Sequence, residues 1–327
     1  MKMFVYNYRE YDEKEYFEEY VKEFNVEISF STLSPSLETA VLCKGCRFVS
    51  VIVTQIDRPL LEKFKELGVE GIATRSIGYD HIDLAAAKAL GIQISVSSYP
   101  PNGVADFAVM LMLMLLRKAK PILLKSVSNN FGLRGSQGRE LHSLTVGIVG
   151  TGRIGRQVIK NLSGFGCKIL AYDPVQNPEA EEFAQYTTLQ KLFETSDIIS
   201  LHTPLTQGNY HMVNAASLAA MKPGVILVNT ARGGLVDTGA LIDALESGRV
   251  GAAGLDVLEG EQVKVFTDGG STNFSGRQNA VLQGFSNVMV TPHAAFYTDS
   301  ASRYTVKSVV ESCLHLYRGT PNPLRIV

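Results

Sequence analysis

Hydrophobic and polar positions in the first hundred residues switch between two periods. Short apolar, β-branched runs at 3–6, 26–30, 48–53, 71–74 and 92–96 predict strands, while 12–24, 59–67 and 83–90 carry the spacing of amphipathic helices. Strands alternating with helices predict a parallel sheet covered on both faces. Tyr99-Pro100-Pro101-Asn102 breaks the pattern, and an apolar stretch at 104–116 follows. It contains Asp106 and is too short to cross a bilayer, so it predicts a buried helix ending at about residue 117. After a polar, glycine-rich segment at 126–143 the alternation resumes, with six strands expected at 145–149, 168–172, 197–201, 225–229, 252–257 and 288–291. Residues 268–286, rich in Gly, Ser, Asn and Gln, predict a surface loop.

The length of 327 residues exceeds one ordinary domain, and 45% hydrophobic residues suffice for two cores. The expectation is an α/β fold of two doubly wound parallel-sheet domains, with a boundary near residue 100. Lys and Arg number 31 against 32 Asp and Glu, so no global field attracts phosphate backbones or anionic lipids. Neither a nucleic acid nor a membrane partner is expected. Four scattered cysteines make no disulfide framework and suit a reducing compartment such as the cytoplasm. The first ten residues hold no apolar run long enough for the core of a signal peptide, so none is expected there.

The apolar run 145–149 leads straight into Gly150-Thr-Gly152-Arg-Ile-Gly155, and 156–162 is helical in character. In that context the glycines form a dinucleotide turn. Gly150 permits the bend, Gly152 lets backbone approach a pyrophosphate, and Gly155 lets the helix pack on the strand. The helix N-terminus adds free N–H groups and a positive dipole end. The next strand ends at Asp173, 18 residues after Gly155 and placed to accept from adenosine ribose hydroxyls. That carboxylate repels a 2′-phosphate, and Pro174 and Val175 offer no cation, so NAD is expected over NADP.

Three further residues follow strands: Arg232 in Asn229-Thr-Ala-Arg-Gly-Gly234, Glu261 after 252–257, and His293 after 288–291. Ligands of such sheets bind outside the carboxyl ends of the strands. A guanidinium fork suits a carboxylate, a histidine donates or accepts a proton, and a neighbouring carboxylate favours the protonated imidazole. Together they meet the demands of hydride transfer to a 2-oxo acid, with His293 as acid and base, Glu261 as its partner and Arg232 on the substrate.

The sequence TRSIGYDHID at 74–83, the Gly150 to Gly155 turn with Asp173, residues 229–237, Gly254-Leu-Asp256 through Glu261, and Pro292-His293 resemble the D-2-hydroxyacid dehydrogenase family over essentially the whole chain. The resemblance implies a flavodoxin-like substrate domain, 1–100 plus 298–327, made discontinuous by a returning C-terminal helix at about 299–317. It implies a Rossmann NAD domain at 101–297 and a cleft between the two. The family's catalytic Arg, Glu and His fall on Arg232, Glu261 and His293. Cofactor contacts fall on Gly150, Gly152, Arg153, Ile154, Gly155, Asp173, Thr203, Pro204, Thr230, Ala231 and, for the nicotinamide amide, Asp256. Substrate contacts are expected from backbone N–H groups around Ile77 and Gly78, and from Tyr99 and Tyr297. The helix after Asn102 is expected to help form a homodimer.

Phe296-Tyr297, directly after the histidine segment, resembles the D-lactate dehydrogenase branch, including the enzymes that supply D-lactate for vancomycin-resistant cell walls. That implies pyruvate as substrate. One departure bears on the pocket: in that branch an aromatic residue often follows the third strand, whereas this chain has Val53-Thr54-Gln55, which implies room for a side chain other than methyl. The architecture also serves NAD-sensing corepressors and branches acting on glycerate, phosphoglycerate or formate. The complete Arg232, Glu261, His293 set points to an enzyme, and Phe296-Tyr297 points away from the other branches.

Cys43 and Cys46 have the spacing of a redox or zinc half-site, but no second pair lies nearby, so a structural role and no metal are expected. His202 follows another strand and either lines the nicotinamide pocket or caps that strand. Arg9, after the first strand, suits a domain-closure contact. His81, His142, His211 and His315 receive no role.

Overall fold

Alternation along the first strand sets the layering of the first unit. In β1 (Lys2–Val5), Met3 and Val5 join one apolar cluster, while Phe4, with Tyr6 just beyond, joins another. The computed structural model describes residues 1–261 and 276–327. They form two compact units, Met1–Pro100 with Tyr297–Val327, and Pro101–Phe296.

In the first unit β1 is followed by α1 (Glu10–Phe24), β2 (Glu27–Phe30), β3 (Phe48–Val51), α2 (Arg58–Glu66), β4 (Gly71–Thr74), α3 (Leu84–Leu90) and β5 (Gln93–Ser95). All the pairings are parallel, in the order β2-β1-β3-β4-β5. That is the flavodoxin-like order of doubly wound sheets. Leu60, Leu61 and Phe64 of α2 cover one face with Val49, Val51 and Ile72 beneath. The other face takes Phe17 and Tyr20 of α1 and Val306, Val309 and Val310 of the final helix, Asp299–Arg318. Thr298 starts that helix by accepting from Ala301 N at 3.1 Å. The chain end then lies along β5, where Ile326 N donates to Ile94 O at 2.8 Å and satisfies an otherwise open edge.

The second unit contains α4 (Asn102–Leu116), α5 (Ala119–Val127), β6 (Thr145–Val149), α6 (Arg153–Ser163), β7 (Lys168–Tyr172), α7 (Pro178–Glu181), β8 (Gln185–Tyr186), α8 (Leu189–Thr195), β9 (Ile198–Leu201), α9 (Ala215–Ala220), β10 (Val225–Asn229), α10 (Thr238–Glu246), β11 (Val250–Leu255), α11 (Arg277–Gly284) and β12 (Val288–Val290). Its parallel sheet runs β12-β11-β10-β9-β6-β7-β8. Ala105, Ala108, Leu111 and Met112 of α4 and Val158, Ile159 and Leu162 of α6 bury one face, while α8, α9 and α10 bury the other. The order reverses at β6, where β7 lies on one side and β9 on the other, and such a switch point opens a crevice at the carboxyl edge.

Three sequence expectations are corrected. This sheet has seven strands among the described residues, not six, because β8 has two residues, too few to show a period, and its pairing to Leu170 and Ala171 depends on β7 being in place. The expected loop 268–286 contains a helix at Arg277–Gly284, formed because Asn279 and Leu282 find buried positions that composition does not reveal; its first residues, 268–275, lie outside the described ones. The helix expected to end at about residue 117 is followed at once by a second one, α5, which has no buried residue and reaches into the polar segment that begins at 126. Among the described residues, no helix is long and apolar enough to cross a membrane.

Candidate active site

Every strand end along the carboxyl edge from β7 to β12 carries one of the singled-out residues. At β6, Gly150 takes φ +96°, which favours glycine, and a Cβ there would lie 2.5 Å from His202 O. A Cβ on Gly155 would lie 1.9 Å from Gly150 O, so the first turn of α6 sits directly on the bend. Among the described residues, nothing lies within 4 Å of a Cβ built on Gly152, and no side chain caps α6. A helix N-terminus of this kind favours an anion. Asp173, half-buried after β7, accepts from Thr151 N at 2.7 Å and Val175 N at 3.0 Å, and so also braces the glycine turn.

At β9, His202 Nε2 bonds Ser200 Oγ at 2.8 Å, and Thr203 and Pro204 follow. Protein packed round His202 holds its imidazole down to about 4 although part of the residue reaches the surface, so it is neutral at pH 7. At β10, Asn229 shapes the next turn: its Oδ1 accepts from Ala231 N at 3.0 Å and its Nδ2 donates to Arg232 O at 2.8 Å. Thr230 is 8% exposed, and its Oγ1 has no hydrogen-bond partner among the described residues. A buried hydroxyl in that state calls for a partner from outside the chain. The orphaned hydroxyl, the open space over Gly152 and the uncapped helix fit a bound dinucleotide.

Arg232, Glu261 and His293 follow β10, β11 and β12, three adjacent strands. His293 Nδ1 and Glu261 Oε1 are 2.9 Å apart, with side chains 20% and 16% exposed. Leu258 N donates to the other Glu261 oxygen at 3.0 Å. His293 has φ +54°, uncommon for a residue with a side chain, and the strain is held by Asp256. That residue is wholly buried: its backbone O accepts from His293 N at 2.9 Å, Oδ1 from Thr291 Oγ1 at 2.6 Å and Ala294 N at 2.8 Å, and Oδ2 from Ala295 N at 2.9 Å. Asp256 therefore fixes the loop bearing His293, a role invisible in the motif because its donors lie more than thirty residues away. Arg232 donates through one guanidinium nitrogen to Ala231 O at 2.7 Å.

Ile77, Gly78, Tyr99 and Tyr297 belong to the first unit. Ser76 Oγ donates to Gly78 O at 2.7 Å and shapes the turn through Ile77. Arg75 lies just before it, with its side chain wholly buried. It donates to Glu13 Oε1 at 2.9 Å, Ser50 Oγ at 2.9 Å, Tyr6 O at 2.8 Å and Asn7 O at 2.9 Å. Arg9 approaches the same Glu13 oxygen at 3.2 Å and donates to Asp12 at 3.0 Å. Charged residues are ordinarily exposed, so sequence reasoning missed this network. Tyr297 is directed to α1: the Arg9 guanidinium carbon lies 6.0 Å from its ring centroid, and burial, then Asp12, push its hydroxyl up to about 12. Cys43 is buried with its thiol pushed up to about 11 by desolvation, a state unsuited to redox chemistry.

Comparison with known proteins supplies the family. Residues 109–295, more than half of the chain, match the D-isomer specific 2-hydroxyacid dehydrogenase, NAD binding domain, family. The chain is 40% identical over 305 residues to a D-specific alpha-keto acid dehydrogenase of Enterococcus faecalis, covering 89% of this chain and 93% of that one. It is 41% identical over 320 residues to an aromatic 2-oxoacid reductase of Clostridium sporogenes, covering 96% and 94%. The apo-structure of D-lactate dehydrogenase from Escherichia coli superposes with a TM-score of 0.87 at 36% identity, covering both chains completely. The chain therefore belongs to the D-isomer specific 2-hydroxyacid dehydrogenase family and is an NAD-dependent enzyme of that family.

Proposed function

We propose that the chain reduces a small 2-oxo acid, pyruvate first, to the D-2-hydroxy acid, reversibly. The observation that carries this reading is the 2.9 Å pairing of His293 Nδ1, after β12, with Glu261 Oε1, after β11, the strand beside the one that precedes Arg232. With Nδ1 committed to the carboxylate, Nε2 carries the transferable proton. NADH, when bound, supplies the hydride. Arg232 engages the substrate carboxylate and steadies charge developing on the carbonyl oxygen, and His293 donates a proton to that oxygen. Glu261 orients the ring and stabilises its charged form; in the oxidative direction His293 is the base. The turn Gly150 to Gly155, Arg153 and Ile154 included, holds the pyrophosphate, Asp173 the adenosine ribose, and Thr203, Pro204, Thr230, Ala231 and Asp256 the nicotinamide half. Ile77, Gly78, Tyr99 and Tyr297 supply the substrate contacts of the first unit.

A second reading, for a larger or aromatic 2-oxo acid, is favoured by Val53 in place of an aromatic residue and by the aromatic 2-oxoacid reductase relative. Steady-state NADH oxidation with pyruvate, phenylpyruvate, 2-oxoisocaproate, oxaloacetate and hydroxypyruvate separates the two. Highest kcat/KM on pyruvate supports the first, highest on phenylpyruvate the second. NADPH serving as well as NADH contradicts the role given to Asp173, and tight NADH binding without turnover on any acid contradicts both readings.

The chain also acts as a homodimer in this reading. The helix expected to form the dimer, α4, buries most of its apolar residues within its own unit, and the exposed apolar surface that suits a second copy lies beyond it, at Leu123, Leu124 and Val127 of α5 and at Phe131 and Leu133, 76% and 84% exposed. Light scattering is expected to give twice the 35.6 kDa chain mass; a single-chain mass at assay concentration counts against it.

A further inference from the structure

Two residues before Glu261, the Glu259 carboxylate collects donors from two other segments. The Tyr210 hydroxyl donates to Oε1 at 2.6 Å, and His211 Nε2 bonds the same oxygen at 2.5 Å. The other oxygen faces Thr238, 3.5 Å from its backbone N and 3.4 Å from its Oγ1, in the first turn of α10, whose dipole favours an anion. Burial opposes ionisation of Glu259, but the bonds from Tyr210, His211 and Thr238 outweigh it and hold the carboxyl below the usual value.

The donors are themselves fixed. His211 stacks on Tyr210 with ring centroids 4.0 Å apart, its Nδ1 lies 3.8 Å from Asp237, and its backbone, at φ +52°, donates to Gly234 O at 2.9 Å. Gly234 and Asp237 belong to the segment that follows Arg232. That segment also touches the Glu259 turn directly, because a Cβ on Gly233 would lie 2.1 Å from both Leu258 C and Leu258 O. The turn is closed by Glu261 N donating to Leu258 O at 3.2 Å and by Leu258 N donating to Glu261 Oε2 at 3.0 Å. The direction of the Glu261 carboxylate thus depends on where Leu258 N–H sits, one residue from the gripped Glu259.

We propose that Glu259, held by Tyr210 and His211, is a positioning residue that sets the 258–261 turn so that Glu261 meets His293 Nδ1. The proposal rests on the acid–base reading of Glu261 and His293. Without the charge on Glu259, the bonds from Tyr210 and His211 to Oε1 weaken, and the turn keeps the Gly233 contact and its own Leu258–Glu261 bonds. Among the described residues, the titratable groups bonded to Glu259 are Tyr210 and His211, with Asp237 against His211 and Glu261 two residues along the turn. In this proposal Glu259 acts through Glu261, so its effect is expected to shrink when Glu261 no longer carries charge.

The test is a cycle on the full chain: wild type, Glu259→Gln, Glu261→Gln and the double variant, each assayed for kcat, KM for NADH and the pH profile of kcat/KM on the best 2-oxo acid. Glu259→Gln is expected to lower kcat about tenfold in the wild-type background and at most about twofold in the Glu261→Gln background. KM for NADH is expected to hold. The alkaline limb of kcat/KM moves to lower pH in Glu259→Gln, as in Glu261→Gln, because a worse-placed carboxylate stabilises the protonated donor less. Equal losses in both backgrounds with an unmoved limb reduce Glu259 to a structural residue and overturn the proposal. Tyr210→Phe, which keeps the carboxylate and removes one donor, is expected to cost about threefold with the same background dependence, and carries the test if Glu259→Gln does not fold. If Glu261→Gln itself leaves kcat and the pH profile at wild-type values, the Glu261–His293 reading is what fails.

Discussion

His293→Ala is expected to lower kcat by roughly 10² to 10⁴-fold, the range ascribed to a positioned general acid, while NADH affinity stays close to wild type. The split follows from placement. His293 follows β12 at the edge of the seven-stranded sheet, whereas the glycine turn follows β6, four strands away in the order β12-β11-β10-β9-β6. Asp256 grips the loop through His293 N, Ala294 N and Ala295 N, all backbone groups that survive truncation of the imidazole. Stopped-flow turnover and NADH fluorescence titration measure the two quantities separately. A comparable fall in both would mean that the imidazole organises the fold of the second unit, and the proton-donor role would be lost. Glu261→Gln keeps the side-chain shape and removes the charge, so it is expected to lose less than His293→Ala.

Glu13→Gln is expected to destabilise the first unit by about 3–5 kcal/mol, the cost of leaving a buried charge without its counterion. Glu13 is wholly buried and is the common acceptor of Arg75 at 2.9 Å and Arg9 at 3.2 Å. Burial pulls the Arg75 guanidinium below its usual value while Glu13 opposes that shift, as expected of a cation retained in the interior by its partner. Arg75→Met is expected to cost less than Glu13→Gln, because Glu13 then keeps Arg9 and the backbone bond from Arg9 N at 3.0 Å. Urea denaturation followed by a probe in the first unit gives the two midpoints. A shift worth under about 1 kcal/mol for Glu13→Gln would place the pair among exposed ion pairs in energy and refute the ranking. Arg75 directly precedes the turn bearing Ile77 and Gly78, so the same variants are expected to raise KM for the oxo acid if that turn binds it.

The sequence by itself determined the parts governed by neighbouring residues. Period-two runs next to helical ones settled two α/β units with parallel sheets, since a parallel strand requires a crossover and the crossovers are the helices. The glycine turn was legible because each glycine answers a local demand: a positive φ at Gly150 and a near contact at Gly155. Arg232, Glu261 and His293 were legible as residues following strands. Their neighbourhood was not, because strand order is decided by which sheet edges pack, and only the fold sets β10, β11 and β12 side by side. The tertiary structure likewise decided what composition pointed against. A Gly- and Asn-rich segment became α11 by burying Leu282, two residues became β8 by pairing with β7, and Glu13, Arg75, Asp256 and Glu259 were given partners distant in sequence. A buried charge is tolerable only when several donors or counterions converge on it, and such convergence exists only once the chain has folded.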